Sequence, residues 1–231
     1  MERTPTEVEE DRDFYRWYGA WAALTPTEVA ARMAGCPSRW WIVGGWAIDA
    51  FTGVQRDHED VDVGFFRADL PVVLDHLAPD LCVWSNLGGT LRPLRTAEDL
   101  LEGARQLWVR PDGDSPWVMD LAMTPHDGET WIAPRDERIR VPFEDATFVA
   151  TDGIRYLRPE LVMFMKAKFA RSKDTRDLEV VLPRLDAGAI GRLRAAIELV
   201  HPGHRWLEAQ GLGGDSARPM LPSRKSRIRS R

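Results

Sequence analysis

Cysteine and long apolar segments are scarce in this sequence. It has two cysteines in 231 residues, Cys36 and Cys82, and apolar or turn residues flank both. Two isolated cysteines predict reduced packing side chains rather than a disulfide or a metal-binding pair. No apolar run approaches the roughly 20 residues of a membrane-spanning helix. Residues 1–13 are acidic and lack the basic start and apolar centre of a signal peptide. These absences predict a cytoplasmic protein without a membrane partner.

Two common kinds of site are also missing. No G-x-S-x-G motif is present, so nothing indicates a covalent serine mechanism. Four of the five histidines have no zinc-like spacing to cysteine or to one another, which argues against a structural zinc: His76, His126, His201 and His204.

The charge is negative overall and uneven along the chain. The formal net charge is −5, but residues 223–231 carry five positive side chains, so the remainder carries −10. An acidic body of this kind disfavours long nucleic acids. It suits a small cationic substrate, which the same long-range field would attract. The hydrophobic content of 44% is enough for a sizeable core.

The stretch from Trp40 to Phe66 carries the most specific pattern. Residues 40–43 form a short aromatic and β-branched run, which predicts a buried strand. Gly44 and Gly45 follow, and residues 46–51 can begin a helix. A strand, a glycine turn and a helix start together direct free backbone N–H groups at an anion. A glycine pair after a strand, taken alone, is more often only a turn.

The second half of that stretch reads Asp60-Val61-Asp62-Val63. If these residues form a strand, both carboxylates project from one face and the valines pack behind them. Aligned carboxylates near a phosphate-binding turn predict a divalent metal site with a nucleotide beside it. An Asp-x-Asp pair alone is more often a solvated strand face. The order of the two halves, with fourteen residues between Gly45 and Asp60, favours the functional interpretation.

These residues resemble a known family. A hydrophobic strand, Gly-Gly, a spacer and then D-h-D-h is similar to the signature of the polymerase-β-like nucleotidyltransferases. The longer string of residues 44–49, followed by Arg56, His58 and residues 60–62, resembles more narrowly the aminoglycoside 2''-adenylyltransferases. The resemblance implies that Mg²⁺ is bound by the aspartates and that ATP is the co-substrate.

A third carboxylate, Asp120, interrupts the apolar run of residues 117–123. That run and residues 107–110 predict a hairpin around an Asp-Gly turn. Aspartate is disfavoured within a strand, and burying it without a partner is costly. Asp120 could face water at a sheet edge. The resemblance implies instead that it completes the metal site of Asp60 and Asp62, accepts the proton of the substrate hydroxyl, or does both.

The remaining candidates are basic or aromatic. Lys166 lies on a helix predicted to begin at Pro159, and it could meet the triphosphate or lie on a solvated helix face. Lys173 is a weaker candidate for the same role. His58 could contact a phosphate oxygen or be a loop residue without a role.

The fold class predicted from these observations is α+β, with a mixed β-sheet nucleotidyltransferase core. We expect a catalytic domain over residues 1–150 and a small helical C-terminal subdomain over residues 151–210. Residues 211–231 are rich in Gly, Ser and Arg, which predicts a disordered basic tail.

The predicted activity is transfer of AMP from ATP onto a hydroxyl of a small molecule, with an aminoglycoside favoured by the resemblance, by a two-metal in-line mechanism. Asp60, Asp62 and Asp120 would be the catalytic and metal-binding residues. The nucleotide would be bound by Gly44, Gly45, His58 and Lys166. Two alternatives remain open: a toxin–antitoxin type nucleotidyltransferase that modifies tRNA or protein, and a non-catalytic nucleotide-binding module.

Overall fold

The computed structural model describes residues 5–208 and Leu212, and its fold is α+β, as predicted. The strands are β1 (Trp40–Ile42), β2 (Asp62–Phe66), β3 (Cys82–Leu87), β4 (Thr90–Pro93), β5 (Gln106–Arg110), β6 (Met119–Thr124), β7 (His126–Asp127), β8 (Thr130–Ile132), β9 (Arg140–Pro142), β10 (Thr147–Val149) and β11 (Arg155–Leu157). The helices are α1 (Pro5–Tyr18), α2 (Pro26–Arg32), α3 (Gly44–Thr52), α4 (Leu70–Leu77), α5 (Phe143–Ala146), α6 (Pro159–Ala167), α7 (Ser172–Val181) and α8 (Ala187–Val200).

One mixed sheet of eight strands carries the core, in the order β10-β11-β1-β2-β6-β5-β3-β4, and β7, β8 and β9 form a smaller sheet. Strand β1 pairs with β2 in antiparallel orientation and with β11 in parallel orientation. Strand β2 pairs in parallel with β6, and this pairing places Asp62 opposite Asp120. The sheet therefore joins the two segments in which the sequence predicted acidic site residues.

Local signals in the sequence agree with several elements. The Thr25 hydroxyl accepts from the backbone N–H of Glu28 at 3.3 Å, and the Glu28 carboxylate accepts from the backbone N–H of Thr25 at 2.8 Å. These two bonds form a capping box at the start of α2. Strands β5 and β6 pair in antiparallel orientation, so the predicted hairpin around the Asp-Gly turn is also confirmed.

Helix α6 is the most apolar helical segment of the C-terminal half. It packs against α3, α7 and α8, and its side chains from Leu161 to Phe164 are all buried. Each side chain of this size contributes roughly 1.5–3 kcal/mol when it is removed from water. Apolar burial therefore attaches the C-terminal helices to the core near the start of α3.

One prediction about the acidic strand is wrong. Strand β2 begins at Asp62, so Asp60 precedes it and does not share a strand face with Asp62. The backbone carbonyl of Asp60 accepts a hydrogen bond from the Trp46 indole at 3.1 Å. Ladder pairing reaches only as far as Val61, whose carbonyl accepts from the backbone N–H of Asp120 at 3.0 Å. The carbonyl of Asp60 is therefore bonded to the Trp46 side chain and not to the backbone of a neighbouring strand.

The ends of the predicted domains lie partly outside the described residues. Residues 213–231 of the predicted tail are not among them. Leu212 is, and its side chain is 1% exposed while its carbonyl accepts from Arg194. Strand β11 lies beyond residue 150, yet it belongs to the main sheet. Among the described helices, none has both the length and the apolar character that crossing a membrane requires.

Candidate active site

A cleft of ≈ 740 Å³ lies between the start of α3, the segment before β2, and helices α6 and α7. Six of the predicted site residues line it: Gly44, Gly45, His58, Asp60, Asp62 and Lys166. Lys173 lines it as well. The seventh predicted residue, Asp120, is 7% exposed and lies beside Asp62 in the sheet. The structure thus brings six of the seven predicted residues to one opening and places Asp120 behind it, next to Asp62.

The two glycines are required by close approach of side chains. Gly44 has φ +65°, a conformation that L-residues rarely adopt, and a Cβ there would overlap the Asp62 carboxylate. A Cβ on Gly45 would lie 2.8 Å from the His58 ring. Helix α3 begins at Gly44, and no side chain caps its first turn. The backbone N–H groups at this helix start are therefore directed at the cleft and suited to an anion.

Asp62 and Asp120 carry the strongest electrostatic perturbation of the site. Burial, reinforced by the negative charge of Asp60, raises the pKa of Asp62 to about 7, although Lys166 and Lys173 act in the opposite direction. Burial also raises the pKa of Asp120 well above its usual range, and the charge of Asp62 adds to the effect. The charge of Asp62 makes ionisation of Asp120 less favourable, because the two carboxyl groups lie on neighbouring strands and Asp120 is removed from water.

The two oxygens of Asp120 have different environments. Its Oδ2 accepts from Gln106 Nε2 at 3.0 Å and from Trp108 Nε1 at 3.2 Å. Its Oδ1 is buried and has no hydrogen-bond partner in the described part of the chain. A buried polar atom without a partner costs free energy, so Oδ1 is an acceptor that a ligand could satisfy.

The fit to a metal ion is partial. Within the described residues, no three His, Cys, Asp or Glu side chains are grouped closely enough to hold a metal ion. Mg²⁺ in phosphoryl-transfer sites, however, is commonly bound by one or two carboxylates, with the other ligands from water and substrate phosphates. Asp60 and Asp62 line the cleft and fit that arrangement, and the unpartnered Oδ1 of Asp120 is a further acceptor next to Asp62. The residues present therefore suit a magnesium ion that arrives with the nucleotide and takes some of its ligands from the phosphates. They do not form a complete set of protein ligands.

Lys166 has protein partners in this structure. Its Nζ lies 3.0 Å from Asp177 Oδ2 and 3.3 Å from Asp174 Oδ1, and both carboxylates are buried. The Lys166 side chain is 16% exposed and still lines the cleft. Phosphate binding by Lys166 stays a prediction, and the two aspartates are what hold its ammonium group at the cleft wall.

His58 is likewise bonded to the protein. Its Nε2 lies 2.8 Å from Asp49 Oδ2, and its ring stacks on Trp46 with a centroid distance of 4.1 Å. These contacts fix the ring beneath Gly45. The predicted contact of His58 with a phosphate oxygen therefore stays a prediction, and its observed partner is Asp49.

Sequence reasoning assigned no role to Arg56, Asp49 or Asp177, which form one network. Arg56 Nε donates to Asp49 Oδ1 at 2.8 Å, and Arg56 also pairs with Asp177 and donates to the Gly45 carbonyl at 3.1 Å. The network connects α3 to α7 across the floor of the cleft. The sequence contains one signal of this network. Asp49 is a charged residue within an apolar helix start, and it needs a partner if it is buried.

The roles of Gln106 and Trp108 as donors to Asp120 were also missed. Both lie on β5, on the strand face that Asp120 shares across the ladder. Whether they share a strand face with Asp120 depends on the register of the hairpin. A shift of one residue would move them to the other face, and the sequence does not specify the register that closely.

A mixed sheet with a strand–glycine turn–helix unit and two acids on adjacent strands is the architecture that the resemblance to nucleotidyltransferases implied. The family model of the aminoglycoside-2''-adenylyltransferases matches residues 27–94, which include the glycine turn, Asp60 and Asp62. The chain therefore resembles the aminoglycoside 2''-adenylyltransferases in the region that forms half of the cleft. No curated protein matches the chain.

The solved structures that are similar to the chain include the following three. Two are of the antibiotic-resistance factor ANT(2'')-Ia, one in solution and one a crystal structure with adenylyl-2''-tobramycin. They are 21% and 20% identical, cover 75% of this chain and 89% and 94% of their own, and have TM-scores of 0.49. The third is the lincosamide antibiotic adenylyltransferase LnuA with lincomycin, which is 14% identical, covers 78% of this chain and 97% of its own, and has a TM-score of 0.42.

Proposed function

We propose that the protein is a magnesium-dependent nucleotidyltransferase that moves AMP from ATP onto a hydroxyl of a small, aminoglycoside-like molecule. The observation that carries the proposal is the pairing of Asp62 with Asp120 across adjacent strands, with Asp120 Oδ1 buried and unpartnered. The match of residues 27–94 to the aminoglycoside-2''-adenylyltransferase model supports the reaction class.

The cleft offers suitable groups for the triphosphate. Backbone N–H groups at Gly44 and Gly45 would bind phosphate oxygens, and the Lys166 ammonium would add positive charge at the opposite wall. Asp60 and Asp62, which line the cleft, would hold magnesium, and Asp120 would lie beside them with Oδ1 open to the acceptor. When bound there, magnesium would neutralise charge on the triphosphate and make the acceptor hydroxyl more acidic.

The proposed transfer is a single in-line displacement. The acceptor hydroxyl oxygen forms a bond to the α-phosphorus, and the bond from that phosphorus to the bridging oxygen of the β-phosphate breaks. Pyrophosphate leaves with the electron pair, and the hydroxyl proton passes to Asp120 Oδ1. Asp120 must be ionised for this step, although burial and the charge of Asp62 raise its pKa in the free protein. The positive charge of a magnesium ion held by Asp60 and Asp62 would favour the ionised form of Asp120.

The charge of the protein supports a cationic acceptor. The net charge is −5, and it is more negative when the basic residues 223–231 are set aside. A negative field raises the local concentration of a polycation and speeds its encounter with the site. The same field repels tRNA, so the small-molecule acceptor is favoured over the nucleic-acid one.

The test is a mass-spectrometric screen of the full chain with ATP, Mg²⁺ and pooled aminoglycosides and lincosamides. We expect an aminoglycoside product heavier by one AMP, formed together with pyrophosphate, and none with the Asp120→Asn variant. A product only from a lincosamide would keep the reaction and replace the acceptor. Nucleotide binding without any product would contradict the proposal and leave the non-catalytic module.

A further inference from the structure

We propose that Trp108 and Gln106 are positioning residues that hold the Asp120 carboxylate by Oδ2, so that Oδ1 is the oxygen that receives the acceptor proton. The role of Oδ1 as proton acceptor rests on the proposed function. The orientation of the carboxylate rests on hydrogen bonds alone: 3.2 Å from Trp108 Nε1 and 3.0 Å from Gln106 Nε2, both to Oδ2.

Strand geometry explains why both donors reach the same oxygen. Trp108 is paired directly with Asp120 between antiparallel β5 and β6, and Gln106 is paired with Ala122 two residues further along. Residues two apart in a strand project from the same face, so Gln106, Trp108 and Asp120 lie together on one side of the sheet. A register shift of one residue would turn both donors away from the carboxylate.

The direction of the Trp108 indole N–H is fixed by aromatic packing. The Trp108 side chain is buried, and four rings surround it with centroid distances of 5.9, 5.7, 5.3 and 5.4 Å: Phe14, Tyr18, Trp21 and Trp117. A close-packed ring of this size cannot turn without displacing its neighbours. Two of these rings come from α1, which lies outside the segment matched by the family model. The N-terminal helix therefore contributes to the site through Trp108.

These contacts make the two oxygens of Asp120 chemically unequal. Rotation of the carboxylate that exchanges them would break both hydrogen bonds at once. The two N–H donors also stabilise negative charge on Oδ2, which makes that oxygen the poorer proton acceptor. Oδ1 has no donor among the described residues, so it stays both oriented and available. A carboxylate held in this way needs no reorganisation when the acceptor hydroxyl arrives.

The kinetic test removes each donor without changing the size of its side chain greatly. Trp108→Phe keeps a ring and removes the indole N–H, and Gln106→Met keeps the length and removes the amide. We expect kcat to fall about 10- to 100-fold in each variant, since the free energy of a hydrogen bond to a charged group corresponds to a rate change of that size. The KM for ATP should change less than about twofold, because the nucleotide contacts are elsewhere in the cleft.

Trp131→Phe is the matched control. Trp131 is buried in β8, and its indole nitrogen has no hydrogen-bond partner in the described part of the chain. The variant loses the same atoms from a core tryptophan without contacting Asp120, so its kcat should stay within about twofold of the unchanged protein. A kcat for Trp108→Phe equal to that of this control would overturn the proposal. If Trp108→Phe does not fold, the exposed Gln106 allows the same decision with Gln106→Met.

A second measurement is independent of activity. In the full chain labelled with ¹⁵N-tryptophan, the indole resonance lost in Trp108→Phe identifies Trp108. Because the indole donates to a carboxylate, we expect this resonance to move upfield in Asp120→Ala, with the Trp131 indole unchanged. An unmoved Trp108 resonance would overturn the proposed positioning. A moved resonance in a protein that transfers no nucleotide would support the orientation of Asp120 and refute the proposed function.

Discussion

Two pairs of aspartates, one in the sheet and one in helix α7, differ in the ion pairs that they make. In the sheet, Asp62 and Asp120 lie side by side, and one oxygen of Asp120 has no partner among the described residues. In α7, Asp174 and Asp177 are 0% and 3% exposed. Lys166 pairs with both of them, Arg171 pairs with Asp174, and Arg56 pairs with Asp177.

The ion pairs of these aspartates affect the pKa values of their carboxyl groups. Burial raises the pKa of Asp174, but the Arg171 hydrogen bond and the Lys166 charge outweigh it, so its pKa lies below the usual range. Burial raises the pKa of Asp120 and the Asp62 charge raises it further. The helical acids are compensated by the protein itself. Within the described residues neither sheet acid makes such an ion pair, and the charges of Lys166 and Lys173 offset the raised pKa of Asp62 only in part. Acids of this kind are what a site for an incoming cation requires.

The largest expected effect comes from neutralising the sheet acids. Asp120→Asn should lower kcat about 10²- to 10⁴-fold, as loss of a general base does, with nearly unchanged Mg²⁺–ATP affinity. Asp62→Asn should abolish transfer and weaken Mg²⁺–ATP binding as well. Without metal, neither variant should unfold at a lower temperature, because each removes a buried charge next to another. Calorimetric affinities, steady-state rates and thermal unfolding check this. Near-normal turnover of Asp120→Asn would contradict the proposed site.

The opposite pattern is expected in α7. Asp177→Asn removes one of the two carboxylates that pair with Arg56 and one of the two that pair with Lys166, and should lower the free energy of unfolding by up to about 3 kcal/mol. Glu179→Gln, on the exposed side of the same helix, is the control and should change it by less than about 0.5 kcal/mol. Chemical denaturation of both variants measures the difference. Equal stability of the two would show that the helical acids are no more structural than surface ones.

The pH dependence of stability should also separate the two groups. The pKa of Asp62 is raised from 3.8 to about 7, so the folded state binds more protons than the unfolded state between those values. Its contribution to the free energy of unfolding therefore falls as pH rises from about 4 to 7. The lowered pKa of Asp174 acts with the other sign, and its contribution is lost as pH falls below about 4.

Denaturation of the metal-free protein across this pH range measures the effect. In Asp62→Asn the decline between pH 4 and 7 should be smaller than in the unchanged protein. Magnesium with nucleotide should reduce the decline too, because a cation stabilises the ionised form. An identical decline in both proteins would assign it to other groups.

The smallest expected effect is that of salt. Raising ionic strength should increase the KM for a cationic acceptor severalfold and the KM for ATP less, because screening weakens the long-range attraction of the acidic surface. The stability that Lys166 and Asp177 provide should respond little, since that pair is largely buried. Initial rates at several salt concentrations measure the two KM values. A salt-insensitive acceptor KM would indicate a neutral acceptor.

Much of the fold and half of the site could be predicted because they depend on near neighbours in sequence. The capping box of α2 spans four residues, and the glycine turn joins β1 directly to α3. The β5–β6 hairpin surrounds a short turn, so Asp120 was correctly placed on a strand. Asp60 was placed wrongly in the strand because an alternating pattern does not reveal where strand pairing ends.

The sequence by itself determined the alternation of strands and helices, the glycine turn and the residue types of the acidic site. These follow from local backbone preferences and from the periodicity of apolar residues. Only the tertiary structure decided that β2 pairs in parallel with β6, which places Asp62 opposite Asp120. It also decided that Lys166 meets Asp174 and Asp177, while Asp120 Oδ1 has no partner in the described chain. Contacts between distant segments depend on register and packing, which no short stretch of sequence specifies.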